Sequence, residues 1–131
     1  KKDIKIKLEA PENLPKISGD PEKMRMVVQN LLDNAVRYTM SGGVVIIRLK
    51  VEGKEVISEI EDTGIGIPAG QQGSVFKKFF RGSNAMKLVT DGSGLGLFIV
   101  QEILQKHGGK VSFKSTEGKG TIFTFSIPSS S

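Results

Sequence analysis

No cysteine occurs among the 131 residues. That absence removes disulfides, thiolate nucleophiles and cysteine metal ligands together, and it fits a reducing compartment. Tryptophan is missing and tyrosine occurs once, which leaves little of the aromatic interleaving on which single-stranded nucleic acid stacks. The single histidine, His107, excludes any site built from two imidazoles, and no Ser/His/Asp arrangement has independent support. No apolar run approaches the roughly 18 to 20 residues of a membrane-spanning helix, and the opening Lys1-Lys2-Asp3 is not a signal peptide. The chain as given is expected to be soluble and monomeric. Without an initiator methionine and with Ser129-Ser130-Ser131 at its end, it is expected to be an excised piece of a longer protein that could itself be membrane-bound.

What is present suits one domain with a core of its own. The formal charge of +5 permits attraction to polyanions. The basic residues are spread along the chain rather than gathered in a stripe, so nucleic acid is not the expected partner. Residues 4–8, IKIKL, alternate as a half-buried strand, and KIS at 16–18 can pair as another. Asp20-Pro21 supplies an N-cap and a proline at the first helical position. The helix that follows keeps Met24, Val27, Val28, Leu31, Leu32 and Ala35 on a core-facing stripe and is expected to end near Met40. VVIIRLKV (44–51) and EVISEIE (55–61) read as a hairpin through Glu52-Gly53-Lys54. Residues 62–73 read as loop, VFKKFF (75–80) as a short helical piece, and residues 82–92 as a mobile surface segment. A second helix carries Leu95, Ile99, Ile103 and Leu104 on one face and stops at Gly108-Gly109. KVSFKS (110–115) and TIFTFSI (121–127) close the chain as strands around Glu117-Gly118-Lys119-Gly120. Hairpins interleaved with a few long helices predict an α/β fold, a two-layer sandwich with one sheet face covered by helices.

Within the first helix, QNLLDNAVRYT (29–39) spends two asparagines where the apolar stripe is strongest. Asparagine is a poor mid-helix residue because it competes for backbone hydrogen bonds. At about 100° per residue, Asn34 lies about 40° from Asn30, with Arg37 and Tyr38 on the same flank, while Val28, Leu31 and Ala35 fall roughly 100° to 160° away. An amide oxygen there can ligate magnesium, and Arg37 can meet phosphate charge. The same residues read equally well as surface amides beside an ordinary basic residue.

EDTGIGI (61–67) places Asp62 at a strand end before Gly64 and Gly66. A partly buried carboxylate can accept from an exocyclic amine, and glycines let backbone approach a flat base; a plain acidic turn has the same composition. DGSGLGL (91–97) sets Gly92, Gly94 and Gly96 ahead of a helix whose unsatisfied amides could cradle phosphate. The GK[ST] ending of a Walker loop is absent and the dinucleotide spacing is not met, so a ligand-free helix cap stays open. RGSNAMKLVTD (81–91) adds Arg81 and Lys87, as a lid over phosphates or as plain loop. His107 reads as a helix C-terminal residue facing the last carbonyls rather than a base.

In this order, QNLLDNAVRYT, DTGIGI, VFKKFF and DGSGLGLFIV resemble the N, G1, F and G2 boxes of the ATP-binding catalytic domain of bacterial sensor histidine kinases, and HGGKVSFKSTEGKGTIFTFSIP resembles the same family's final segment. The resemblance runs from Ile4 to Pro128 and implies the Bergerat fold, a mixed, mostly antiparallel sheet under helices. It implies Mg2+ and ATP as cofactors, with Asn34 as metal ligand and Asn30 beside it as the catalytic pair, and Arg37 and Tyr38 near the nucleotide. It further implies Asp62 as the reader of adenine, Gly64, Ile65 and Gly66 around the base, and Thr121 as its helper. Gly92, Gly94, Leu95, Gly96 and Leu97 become the turn after an ATP lid of about residues 82–92, with Arg81 and Lys87 as phosphate contacts. Phe76, Phe79 and Phe80 mark the F box, which organises lid and partner contacts.

Related ATPases carry a water-activating glutamate where this chain has Asn30, and a neutral amide is no general base. The resemblance therefore implies transfer of the γ-phosphate to a histidine on a separate dimerisation and phosphotransfer domain, with a response regulator downstream. It implies a cytoplasmic domain whose parent can be anchored in the inner membrane. The alternatives are an ATPase of the same fold, an anti-sigma serine kinase, or a non-catalytic nucleotide-binding regulator.

Overall fold

The computed structural model describes residues 3–12, 19–76 and 96–129. The expected strand at 16–18, the last four residues of the VFKKFF piece, the lid, Phe79, Phe80, Arg81, Lys87, Gly92, Gly94 and Leu95 lie outside the described residues.

Five strands form one sheet in the order β1-β2-β3-β5-β4, with β1 Lys5–Glu9, β2 Val44–Glu52, β3 Glu55–Asp62, β4 Lys110–Thr116 and β5 Gly120–Pro128. Among the described residues only the β1 and β2 pair is parallel, as its helical crossover requires; the other pairs are antiparallel. Two helices, α1 Pro21–Tyr38 and α2 Gly96–Lys106, pack on each other and over one sheet face. This is the mixed, mostly antiparallel two-layer α/β sandwich that the sequence predicts. Its core joins Val27, Leu31 and Ala35 of α1 and Val100, Ile103 and Leu104 of α2 to Val45, Ile60, Phe123, Phe125 and Ile127 of the strands. Phe76 stands edge-on to Phe113 and Phe123, with ring centroids 5.9 and 6.4 Å away, so the first phenylalanine of the F box belongs to the core edge.

Local chemistry explains the helix ends. The Asp20 carboxylate accepts the Glu22 N–H at 2.9 Å, and Pro21 occupies the first turn. Thr39 closes α1 by donating its hydroxyl to Ala35 O at 2.6 Å. At the end of α2, Gly108 adopts φ 74° and the Gly109 N–H returns to Leu104 O at 2.8 Å. His107 faces the last carbonyls as expected, with Nδ1 2.9 Å from Ile103 O. Its Nε2 accepts the Asp20 N–H at 3.2 Å, joining the end of α2 to the start of α1. Nδ1 must then carry the proton, because a carbonyl cannot donate.

Three expectations are corrected. All five residues of β1 are exposed rather than half-buried, with Ile6 at 54% and Leu8 at 67%, because the strand lies at the sheet edge and the helices pack over β3 and β4. Val28 is exposed, since it sits about 100° around the helix from Val27, on the margin of the buried stripe. Residues 69–74, read as loop, form a 3-10 helix, Ala69–Ser74. Two glycines hide that turn from any propensity argument, and its bond from the Gln71 N–H to Pro68 O needs only three residues to close.

On the face away from the helices, Arg48 ties three strands together. Its guanidinium lies 2.8 Å from Glu61 and 3.3 Å from Glu9. The hydrogen bond to Glu61 leads the causes that raise its already high pKa.

Candidate functional site

Strand parity builds the best-defined part of the site. Asp62 continues the inward series Ser58 and Ile60 of β3, Thr121 the series Phe123, Phe125 and Ile127 of β5, and Ser115 the series Val111 and Phe113 of β4. The register pairs Asp62 with Thr121 and Thr121 with Ser115. Three polar side chains therefore form a row across three strands at one end of the core, where neighbouring inward positions are apolar.

Asp62 and Thr121 are each only 7% exposed. Burial pushes the Asp62 carboxyl from 3.8 up to about 6, against the opposing pull of the Gly64 and Thr121 N–H groups. The Gly64 N–H reaches Asp62 Oδ1 at 2.8 Å. Ser115 Oγ accepts the Ile67 N–H at 2.8 Å and lies 2.8 Å from Thr121 Oγ1 and 3.1 Å from Gly120 O. Gln72 of the 3-10 helix donates to Ile67 O at 3.1 Å and to Ser115 O at 3.0 Å.

The loop after β3 is held against both neighbours. The Ile65 N–H donates to Tyr38 O at 3.1 Å, and the Gly118 N–H donates to Ile65 O at 2.7 Å. A Cβ at Gly64 would come within 2.5 Å of Tyr38 O. At Gly66, with φ 71°, it would overlap the Thr116 carbonyl. Gly66→Ala should therefore cost both strain and a backbone shift, about 2–4 kcal/mol together. Gly118→Ala, at φ 84° with nothing within 4 Å of the added carbon, should cost only the strain, about 1–2 kcal/mol. Denaturant unfolding of the two variants checks the ordering, and equal losses would contradict the close approach at Gly66.

The α1 flank supplies a different surface. Asn30, Asn34 and Tyr38 are half-buried and Arg37 is exposed. Among the described residues neither asparagine amide has a hydrogen-bond partner in the protein. A half-buried amide can be satisfied by water or by a ligand. No group of three His, Cys, Asp or Glu side chains that could hold a metal ion occurs among the described residues. A cation there would take neutral oxygen, solvent and anionic ligand oxygens, a donor set that suits magnesium. Gly96 opens α2 and Leu97 lies half-buried in its first turn.

The structure thus brings Tyr38, Asp62, Gly64, Ile65, Gly66 and Thr121 together, with Asn30, Asn34 and Arg37 carried on α1. Sequence reasoning missed Ser115 and Gln72. The signal for Ser115 was a hydroxyl in phase with Val111 and Phe113; Gln72 had none, because its partners lie in other elements.

A sequence profile of the histidine kinase-, DNA gyrase B-, and HSP90-like ATPase family matches residues 19–131. Among curated relatives, the circadian input-output histidine kinase CikA of Synechococcus elongatus is 39% identical over 110 residues, 84% of this chain and 15% of that protein. The sensor-like histidine kinase SenX3 of Mycobacterium bovis is 37% identical over 126 residues, 96% of this chain and 30% of that protein. The chain therefore spans less than a third of the length of these relatives. The mycobacterial sensor histidine kinase MprB superposes with a TM-score of 0.87 at 32% identity, covering 97% of this chain and 84% of that one. Full-length ShkA in complex with AMPPNP superposes with a TM-score of 0.79 at 31% identity, covering 96% of this chain and 26% of that one.

Proposed function

Since the chain belongs to the histidine kinase-, DNA gyrase B-, and HSP90-like ATPase family and is a catalytic domain of the histidine-kinase kind, we propose that it binds Mg-ATP and donates the γ-phosphate to a histidine on a separate dimerisation and phosphoacceptor domain of its parent kinase. The observation that carries this reading is the inward row of Asp62, Thr121 and Ser115, beside glycines whose side-chain space is taken by backbone. A buried acceptor at one end of the core suits the exocyclic amine of adenine, and the glycines let the loop beside it pack directly against the Tyr38 and Thr116 carbonyls.

Each residue then has a task. Asp62 accepts from the amine, Gly64, Ile65 and Gly66 line the base, and Tyr38 stands beside the nucleotide. Asn34 offers a neutral oxygen to the metal, with Asn30 beside it and Arg37 toward the phosphates. Bound there, magnesium would neutralise phosphate charge during transfer. Gly96 and Leu97 begin the helix whose first amides face the same anion, and Arg81, Lys87, Gly92, Gly94 and Leu95 are assigned to the lid and its turn.

In the transfer, a neutral imidazole nitrogen forms the new N–P bond, the bond from γ-phosphorus to the bridging oxygen breaks, ADP leaves with that electron pair, and the imidazole releases its N–H proton to solvent. Asn30 cannot take a proton from water, so hydrolysis competes poorly. His107 is an unsuitable acceptor, since both ring nitrogens are engaged by Asp20 and Ile103. A response regulator would receive the phosphate next. This reading assigns the domain to the cytoplasmic part of a parent that can be membrane-anchored; no helix among the described residues is long and apolar enough to cross a membrane.

The test mixes this domain with its dimerising histidine domain and labelled ATP. Acid-labile, base-stable labelling of the histidine domain is expected. Acid-stable label, or none, would overturn the proposed transfer.

A further inference from the structure

We propose that Ser115 is a specificity-positioning residue, which fixes the Thr121 hydroxyl as a hydrogen-bond acceptor toward the base and so helps the site reject purines carrying a carbonyl at C6. The proposal rests on the ATP-binding reading above and deepens it.

The argument is one of proton counting. A serine hydroxyl has one hydrogen and two lone pairs. At Ser115 one lone pair is taken by the Ile67 N–H at 2.8 Å. Gly120 O, at 3.1 Å, can only accept, whereas Thr121 Oγ1, at 2.8 Å, can do either. All three contacts are made together in one arrangement only: Ser115 donates to Gly120 O, and Thr121 donates to the remaining Ser115 lone pair. Thr121 then has lone pairs alone to offer the pocket. In the other arrangement Ser115 donates to Thr121, the contact to Gly120 O is lost, and the Thr121 hydrogen is free to point at a ligand.

Thr121 is the cross-strand partner of Asp62, an acceptor when ionised. With Thr121 held as an acceptor too, this corner of the site matches an edge that donates, an amine or a water bound to it, and opposes a carbonyl. Gln72 braces the arrangement, since its amide holds Ile67 O and Ser115 O at once and keeps the Ile67 N–H aimed at the serine. A 3-10 turn 43 residues away in sequence is thereby tied to base selection.

Calorimetric titration with ADP and with IDP, the second differing by a carbonyl at C6 and a proton on N1, tests the idea. The parent domain should favour ADP. In Ser115→Ala the ADP-to-IDP affinity ratio should fall about three- to tenfold, Ser115→Thr should restore it, and Thr121→Val combined with Ser115→Ala should lower it no further than either change alone. If alanine prevents folding, Ser115→Cys, a weak donor of similar reach, replaces it with the same expected fall. A purely structural role would weaken both nucleotides equally; an unchanged ratio in a parent that discriminates would overturn the proposal and leave the ATP reading standing. A parent that binds neither nucleotide would overturn the ATP reading, and this proposal with it.

Discussion

Asn34→Ala should remove the magnesium-dependent part of nucleotide binding while leaving the fold at least as stable as before. The side chain is half-buried on α1 and has no hydrogen-bond partner among the described residues, so its loss breaks no hydrogen bond among them. Alanine is also the better helix former, by about 0.5 kcal/mol. What disappears is the neutral oxygen proposed to hold the metal at the triphosphate. Magnesium keeps much of its water and has few protein ligands in such sites, so one ligand is a large share of what the protein contributes. A fall of about 10- to 100-fold in affinity for a non-hydrolysable ATP analogue is expected with magnesium present, and little change without it. Melting temperature should not drop. Parent-like binding by Asn34→Ala in magnesium, measured by calorimetry, would rule out its assignment as the metal ligand. Asn34→Asp separates oxygen from charge: it keeps a ligand oxygen but adds an anion beside the phosphates, and should fall between alanine and the parent.

The parts legible from sequence were those whose causes are local. The Asp20-Pro21 cap, the period-two strands and the glycine turn after α2 each depend on a few adjacent residues, and the structure places them as read. Asp62 was legible because a carboxylate ahead of two glycines is a local pattern too. The exposure of Ile6 and Leu8 was not, because alternation identifies a strand face without saying whether a helix will cover it. Nor was the insertion of β5 between β3 and β4, which makes Thr121 the neighbour of both Asp62 and Ser115. Gln72 shows the limit most sharply. Its 3-10 turn is hidden by Gly70 and Gly73, and its amide is satisfied by carbonyls on a loop and a strand that only the tertiary fold brings within reach.

Asp62→Asn should trade adenine recognition for stability, and the exchange should depend on pH. In the folded chain burial raises the carboxyl from 3.8 to about 6, so the native state takes up a proton more readily than the unfolded chain. The stabilisation linked to that proton is fully present below pH 3.8 and is lost as pH rises through 6. Above that point, keeping the carboxylate ionised costs on the order of 3 kcal/mol. Asparagine escapes this cost and still offers an oxygen to the Gly64 N–H, although its amide protons can oppose the Thr121 N–H, which reduces the gain. Relative to the parent, Asp62→Asn should be more stable by about 1–2 kcal/mol at pH 7.5, with the difference shrinking toward zero near pH 4. Binding should move the other way. Loss of a charged acceptor for the adenine amine should weaken ADP about 10- to 100-fold at pH 7.5, and the parent's own advantage over the variant should fade as pH drops below 6. The ratio of the two affinities cancels the titration of the phosphates, which both proteins share. Denaturant melts and ADP titrations at pH 7.5 and 5 supply both quantities; parallel pH dependence in parent and variant would show that Asp62 is not the titrating group, and an unchanged affinity for ADP would remove it from the base site.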